Sequence, residues 1–197
     1  MIIPEVTLED IIYNTYTENG MYPEGTEAGR EKLREKGLHI VGTLHRQVQL
    51  GDYGRADLIE VYKSDNDDLI YVDIFELKKD RVDSTTLSQA IRYKSALTIL
   101  LHQHFPDCKV VFGYVLIGAT EAGFLSQING NADEDHIIPI SVYAYTYGVD
   151  GIEFTSHVYA GVSGWNPGNP SEVIASVKRL FVAQQLEKPE VKIKKTA

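Results

Sequence analysis

The stretch from Leu69 to Ala119 leaves few folds open. A nearly unbroken apolar run, LIYVDIFELK (69–78), is followed by DSTTLSQAIRYKSALTILLHQHF (83–105) and then by a second apolar run, KVVFGYVLIGA (109–119). Both runs are rich in β-branched and aromatic residues and read as strands. Between them Leu87, Ala90, Ile91, Leu97 and Leu100 form a broad helical stripe, which Asp83 or Ser84 can cap and Pro106 stops. Two strands joined through a helix of that length are linked by a crossover, so at least one strand pair is parallel. The expectation is an α/β protein with a mixed sheet, its 109–119 strand buried on both faces.

The rest of the chain fits around that unit. EVTLEDIIYNTYTE (5–18) reads as a short helix, and MYPEG as a turn. TEAGREKLREKG (26–37) reads as a second helix, with Thr26 as N-cap and Gly37 as its stop. LHIVGTLHRQVQL (38–50) and RADLIEVY (55–62) read as two strands of a hairpin turned at GDYG, with KSDNDD as the next turn. After a loop-like AGFLSQINGNADED, the segments IIPISVYAYTY and GIEFTSHVYAG form a second hairpin across GVDG. Asn169-Pro170-Ser171-Glu172 has the form of a capped helix start, and that helix runs to about Leu186. A single domain over 1–197 is expected, with a core at about 26–118, an extension at about 137–186 and a loose tail at 187–197.

Composition narrows the function classes. No apolar stretch reaches the ~18 residues of a membrane span, and the N-terminal residues lack the pattern of a signal peptide. The one cysteine, Cys108, excludes an internal disulfide, which fits a cytoplasmic setting. The net charge of −9 works against non-specific binding of nucleic acid. Such binding would need a local basic patch, a bound metal or a partner.

A local departure from the apolar pattern carries the chemistry. On the 69–78 strand, alternation puts Val72, Ile74, Glu76 and Lys78 on one side. An exposed Glu–Lys pair alone adds little stability. However, Asp57 stands near the start of the preceding strand, where it can face Glu76 across the hairpin. Two adjacent carboxylates repel, and either one takes up a proton or a cation sits between them. A hard divalent ion such as Mg²⁺ is the usual solution, with the Leu77 carbonyl as a further candidate ligand and Lys78 next to the water. Eleven residues beyond Lys78, Gln89 lies in the first turns of the long helix, and Tyr93 follows one turn later.

Gly54-x-x-Asp57, Glu76-Leu77-Lys78 and Gln89 with Tyr93 in SQAIRYKSAL occur in an order that resembles the PD-(D/E)XK nuclease superfamily, whose fold is restriction-endonuclease-like. EKLREKG resembles that family's leading helix, and the likeness covers about residues 26–118. Ala56 stands where the motif's proline would be. The resemblance implies that Asp57 and Glu76 hold Mg²⁺ or Mn²⁺, that Lys78 positions the attacking water, and that Gln89 orients a ligand or contacts the nucleic-acid backbone. It implies hydrolysis of phosphodiester bonds that leaves a 5′-phosphate and a 3′-hydroxyl; the substrate is nucleic acid, with DNA favoured over RNA. Some members add a glutamate from the first helix. Glu27, Glu31 and Glu35 share one helical face here, and Glu31 is central among them.

Between Glu76 and Lys94 the chain is locally basic, and Lys79, Arg81 and Arg92 are candidates for contacting nucleic acid. A homodimer or protein partner would add positive surface. Two other readings compete: a catalytically inactive module of the same fold that binds a partner, and a hydrolase of another phosphate ester. His102 and His104, two apart on a helix, point in different directions and suit the surface better than a metal. Tyr143, Tyr145 and Tyr147 share a strand face; they suit stacking on bases or a half-buried sheet. Lys188, Lys192, Lys194 and Lys195 read as a solubilising tail.

Overall fold

A computed structural model describes residues 1–63, 69–106, 109–121 and 140–159. The expected loop after Glu121, the helix at 169–186 and the tail lie outside the described residues. Among the described residues three helices, α1 (Glu5–Tyr16), α2 (Glu27–Glu35) and α3 (Ser84–His104), accompany eight strands. The strands are β1 (Thr43–Gln49), β2 (Arg55–Lys63), β3 (Leu69–Leu77), β4 (Arg81–Val82), β5 (Lys109–Gly118), β6 (Thr120–Glu121), β7 (Ile140–Gly148) and β8 (Gly151–Tyr159). A mixed, open sheet runs β1-β2-β3-β5-β7-β8, and β4 and β6 form a separate parallel pair. The first three strands are antiparallel neighbours, whereas β3–β5 and β5–β7 are parallel. The crossover through α3 is therefore present, and β7–β8 is the second hairpin.

Local chemistry explains the helix ends. The Thr26 hydroxyl accepts the Gly29 amide at 2.9 Å, and Gly37, with φ +87°, ends α2 in a conformation that costs other residues strain. At α3, Asp83 accepts the Thr85 and Thr86 amides at 2.9 and 3.1 Å, while the Thr86 hydroxyl accepts the Asp83 amide. This reciprocal cap fixes where the crossover helix starts, and so where Gln89 falls.

Each face of the sheet has its own core. Ile59, Val61, Val72, Ile74, Tyr114 and Leu116 pack under α3, against Ala90, Tyr93, Leu97 and Leu100. Leu44, Leu58, Phe75, Leu77, Ile117 and Tyr145 pack under α1 and α2, against Leu8, Ile12, Tyr16 and Leu33. Each fully buried aliphatic side chain contributes roughly 1.5–3 kcal/mol. β5 is covered on both sides only over its second half, since Val110 to Phe112 are half-buried. β1 starts at Thr43, later than expected, although Leu38 and Ile40 ahead of it are still core residues. Tyr143 and Tyr145 are buried, and the Tyr145 hydroxyl donates to the Lys79 carbonyl at 2.8 Å, so these rings serve the core rather than a stacking surface. His102 and His104 are exposed on α3. Among the described residues no helix is long and apolar enough to cross a membrane.

Candidate functional site

The ladder between β2 and β3 pairs Leu58 with Phe75, which makes Asp57 and Glu76 the next opposed positions. There the backbone pairing stops. The Leu77 amide donates instead to Asp57 Oδ2, at 3.0 Å. On its other side β3 continues against β5, and the Lys78 amide donates to the Ile117 carbonyl at 2.8 Å. The two strands thus open at the point where the apolar run gives way to charge.

Glu76 is 1% exposed, and its Oε1 accepts from Lys78 Nζ at 2.6 Å. Its other oxygen, Oε2, is buried and has no hydrogen-bond partner. A buried carboxylate oxygen without a donor is costly and calls for a proton, a water or a cation. Burial first, and then the charge of Asp57, push the Glu76 carboxyl up to about 7, against the opposing pull of Lys78. Burial also raises Asp57 above the ordinary range, despite the Leu77 amide and the Lys78 charge. For Lys78 burial acts downward, but its hydrogen bond to Glu76 and the surrounding carboxylates win, so its ammonium form is favoured. The three side chains named from the sequence are thus electrostatically coupled. The Leu77 amide is engaged with Asp57.

Gln89 and Tyr93 meet one another, with Gln89 Nε2 donating to the Tyr93 hydroxyl at 2.8 Å. Tyr93 is buried against Gly54, where a Cβ would stand 3.4 Å from the ring. The first turns of α3 therefore abut the turn that leads into Asp57. Arg92 is exposed and lies 5.6 Å over the Tyr93 ring, with its guanidinium beside Gly54. Lys79 and Arg81 are exposed just beyond β3; Lys79 sits 3.8 Å from Asp80.

Glu31 is exposed on α2 and pairs with Arg34. The helical carboxylates at this end of the sheet come from α1 instead. Glu5 accepts the Lys79 amide at 3.3 Å, and its charge acts on Asp57, Glu76 and Lys78. The buried Glu9 also acts on Asp57. Their sequence signal is the stripe Leu8, Ile12, Tyr16, which packs α1 on the sheet with Glu5 and Glu9 one turn apart beside it.

A second acidic pair, Glu60 buried and Asp73 half-buried, lies three residues along each strand. Glu60 and Asp73 are directly opposed on β2 and β3. Glu60 Oε1 accepts the amides of Val41 and Gly42, and Asp73 accepts from the Tyr62 hydroxyl at 3.2 Å. Burial first, and then Asp73, push Glu60 up to about 8; burial pushes Asp73 up to about 6.

Among the described residues no group of three or more His, Cys, Asp or Glu side chains converges to hold a metal ion. The donor set at Asp57 and Glu76 is two carboxylates with one orphaned oxygen. That fits Mg²⁺, which is usually held by one or two carboxylates with waters completing its shell. The chain matches no protein-family model, no curated protein and no solved structure.

Proposed function

We propose that this protein is a metal-dependent nuclease that hydrolyses phosphodiester bonds of nucleic acid, DNA in preference to RNA. The observation that carries the reading is the coupled trio Asp57, Glu76 and Lys78 at the open end of β2 and β3, with Glu76 Oε2 buried and unpartnered. The order α2-β1-β2-β3-α3-β5, with Glu76 and Lys78 at the end of β3 and Gln89 in the crossover helix, supports the resemblance to the PD-(D/E)XK superfamily.

Asp57 and Glu76 would hold the Mg²⁺ or Mn²⁺ ion. When bound, that ion supplies Lewis acidity and neutralises charge that builds on the phosphate. Glu76, whose burial raises its carboxyl to about 7, would be held in its ionised form by such a cation at neutral pH. Lys78 Nζ, an ammonium on a half-buried stem, orients a water and stabilises negative charge that develops on it. Gln89, fixed by Tyr93, offers an amide to the sugar-phosphate backbone near Gly54. Lys79, Arg81 and Arg92 supply the positive approach that a chain of net charge −9 otherwise lacks.

The purified protein with Mg²⁺ or Mn²⁺ is expected to cut at least one of plasmid, linear, single-stranded or branched DNA, or RNA. Activity should fall by about a hundredfold or more in Glu76→Ala and Lys78→Ala. Failure to cut any of these substrates, or cleavage undiminished by both substitutions, overturns the reading. Calorimetric Mn²⁺ binding that disappears in Asp57→Asn separates a catalytic site from an inactive module of the same fold.

A further inference from the structure

Asp57 owes its position to a break in the strand beside it. The β1–β2 register pairs Arg46 with Leu58 and Val48 with Ala56, leaving Gln47 and Asp57 opposed but unpaired. Gln47 has φ +53°, and among the described residues it is the one non-glycine inside a strand with a positive φ. Side chains other than glycine enter that region at a cost and stay there only when their surroundings hold them.

The consequence is visible in the cores. Along a regular strand, residues an even number apart share a face. Leu44 packs in the core under α1 and α2, yet Val48 packs under α3. On β2, Leu58 and Ala56 divide in the same way. Both strands therefore change face at Gln47 and Asp57. Past Asp57, Ile59 and Val61 alternate normally with Leu58; before it, Ala56 has the opposite face.

The holding groups are on α1. Glu9 is 3% exposed, and both of its oxygens are used: Oε1 accepts from Arg46 Nε and Oε2 from Gln47 Nε2. Arg46 is further tied to Asp10 at 2.6 Å and lies 5.7 Å over the Tyr13 ring. The helix thus grips two consecutive residues of β1 at the turn-over point.

We propose that Gln47 is a positioning residue for Asp57: its left-handed backbone, held by Glu9, inverts the strand and frees the Asp57 carboxylate to meet the Leu77 amide beside Glu76. The proposal rests on the nuclease reading only for its catalytic meaning. The positioning itself is read at the Leu77 amide, which needs no metal and no substrate.

The test uses the full chain with Gln47→Gly, Gln47→Ala and Gln47→Val. Glycine takes a positive φ freely, alanine does so at a cost, and β-branched valine resists it. The Leu77 amide proton shift, calibrated by Asp57→Ala, reports whether Asp57 still accepts its hydrogen bond. Gln47→Gly is expected to keep the wild-type shift, and Gln47→Val to move to the Asp57→Ala value. Mn²⁺ affinity should follow the same order, falling about tenfold or more in the valine variant. Should Gln47→Val not fold, Gln47→Ala must still move toward Asp57→Ala while Gln47→Gly does not. A wild-type Leu77 shift in the folded valine or the alanine variant overturns the proposal, as does an equal loss in the glycine variant. Wild-type protein that binds no Mn²⁺ and cuts nothing, yet shows this amide pattern, removes the nuclease reading and leaves the positioning intact.

Discussion

The acidic pair Glu60 and Asp73 predicts how stability depends on pH. Glu60 is 2% exposed, faces Asp73 across the β2–β3 ladder, and has a carboxyl pushed from an ordinary 4.5 up to about 8. A carboxyl whose folded value is raised binds its proton more tightly in the native state than in the unfolded chain. Its contribution to stability is complete below pH 4.5 and is lost as the pH climbs through about 8. Across that window each such proton lowers stability by up to about 1.4 kcal/mol per pH unit, for a ceiling of about 5 kcal/mol. Relaxation of the buried site reduces this, and about 2 kcal/mol at pH 8 is expected. Glu60→Gln keeps an oxygen for the Val41 and Gly42 amides and offers Asp73 a donor instead of a second acid. The variant should match the wild type near pH 5 and exceed it by about 2 kcal/mol at pH 8, or ~4–8 °C in Tm for a chain of this size. Urea unfolding of metal-free protein at several pH values measures both curves. Glu76, Asp57 and Asp73 add slope of the same sign to both proteins, so the difference between the curves reports Glu60 together with its interaction with Asp73. Equal slopes, or a variant less stable at pH 8, would refute the argument.

Three further perturbations test other links. Lys78→Ala should lower kcat by about a hundredfold or more while Mn²⁺ still binds, since Asp57 and Glu76 remain; calorimetry and single-turnover cleavage separate the two effects. Gly54→Ala places a side chain at φ +107° with its Cβ 3.4 Å from Tyr93, and should cost roughly 1–3 kcal/mol in urea unfolding. Tyr16→Phe removes a hydroxyl that donates to the Glu24 carbonyl and accepts the Leu44 amide at 3.3 Å, deep in the core under α1. A loss of about 1–3 kcal/mol by thermal unfolding is expected.

Local rules carried the chain as far as its elements. The cap at Asp83, the stop at Gly37 and the apolar runs of β3 and β5 are short-range signals, and the crossover they imply is found in the sheet. The opposition of Asp57 and Glu76 was also legible, because a short hairpin and a two-residue side-chain period fix register once the strands are identified. Helix placement was not. Choosing Glu31 relied on spacing within α2, whereas Glu5 and Glu9 reach this end of the sheet because Leu8, Ile12 and Tyr16 dock α1 there. That docking is a tertiary outcome with no local spacing to announce it. The left-handed Gln47 was likewise hidden, since nothing in LHRQVQL disfavours regular alternation. Glu60 and Asp73 left a visible trace, one acid inside each of two apolar strands, whose meaning appears only when the register sets them face to face.

The face change at Gln47 and Asp57 also bears on how the molecule comes apart. Because β1 puts Leu44 into the layer beneath α1 and α2 and Val48 into the layer beneath α3, while β2 gives Leu58 to the first and Ala56, Ile59 and Val61 to the second, these two strands stitch the layers together. Neither layer can loosen without dragging on the segment anchored in its neighbour. Fluorescence probes placed on opposite sides of the sheet should therefore report a single, coincident melting step.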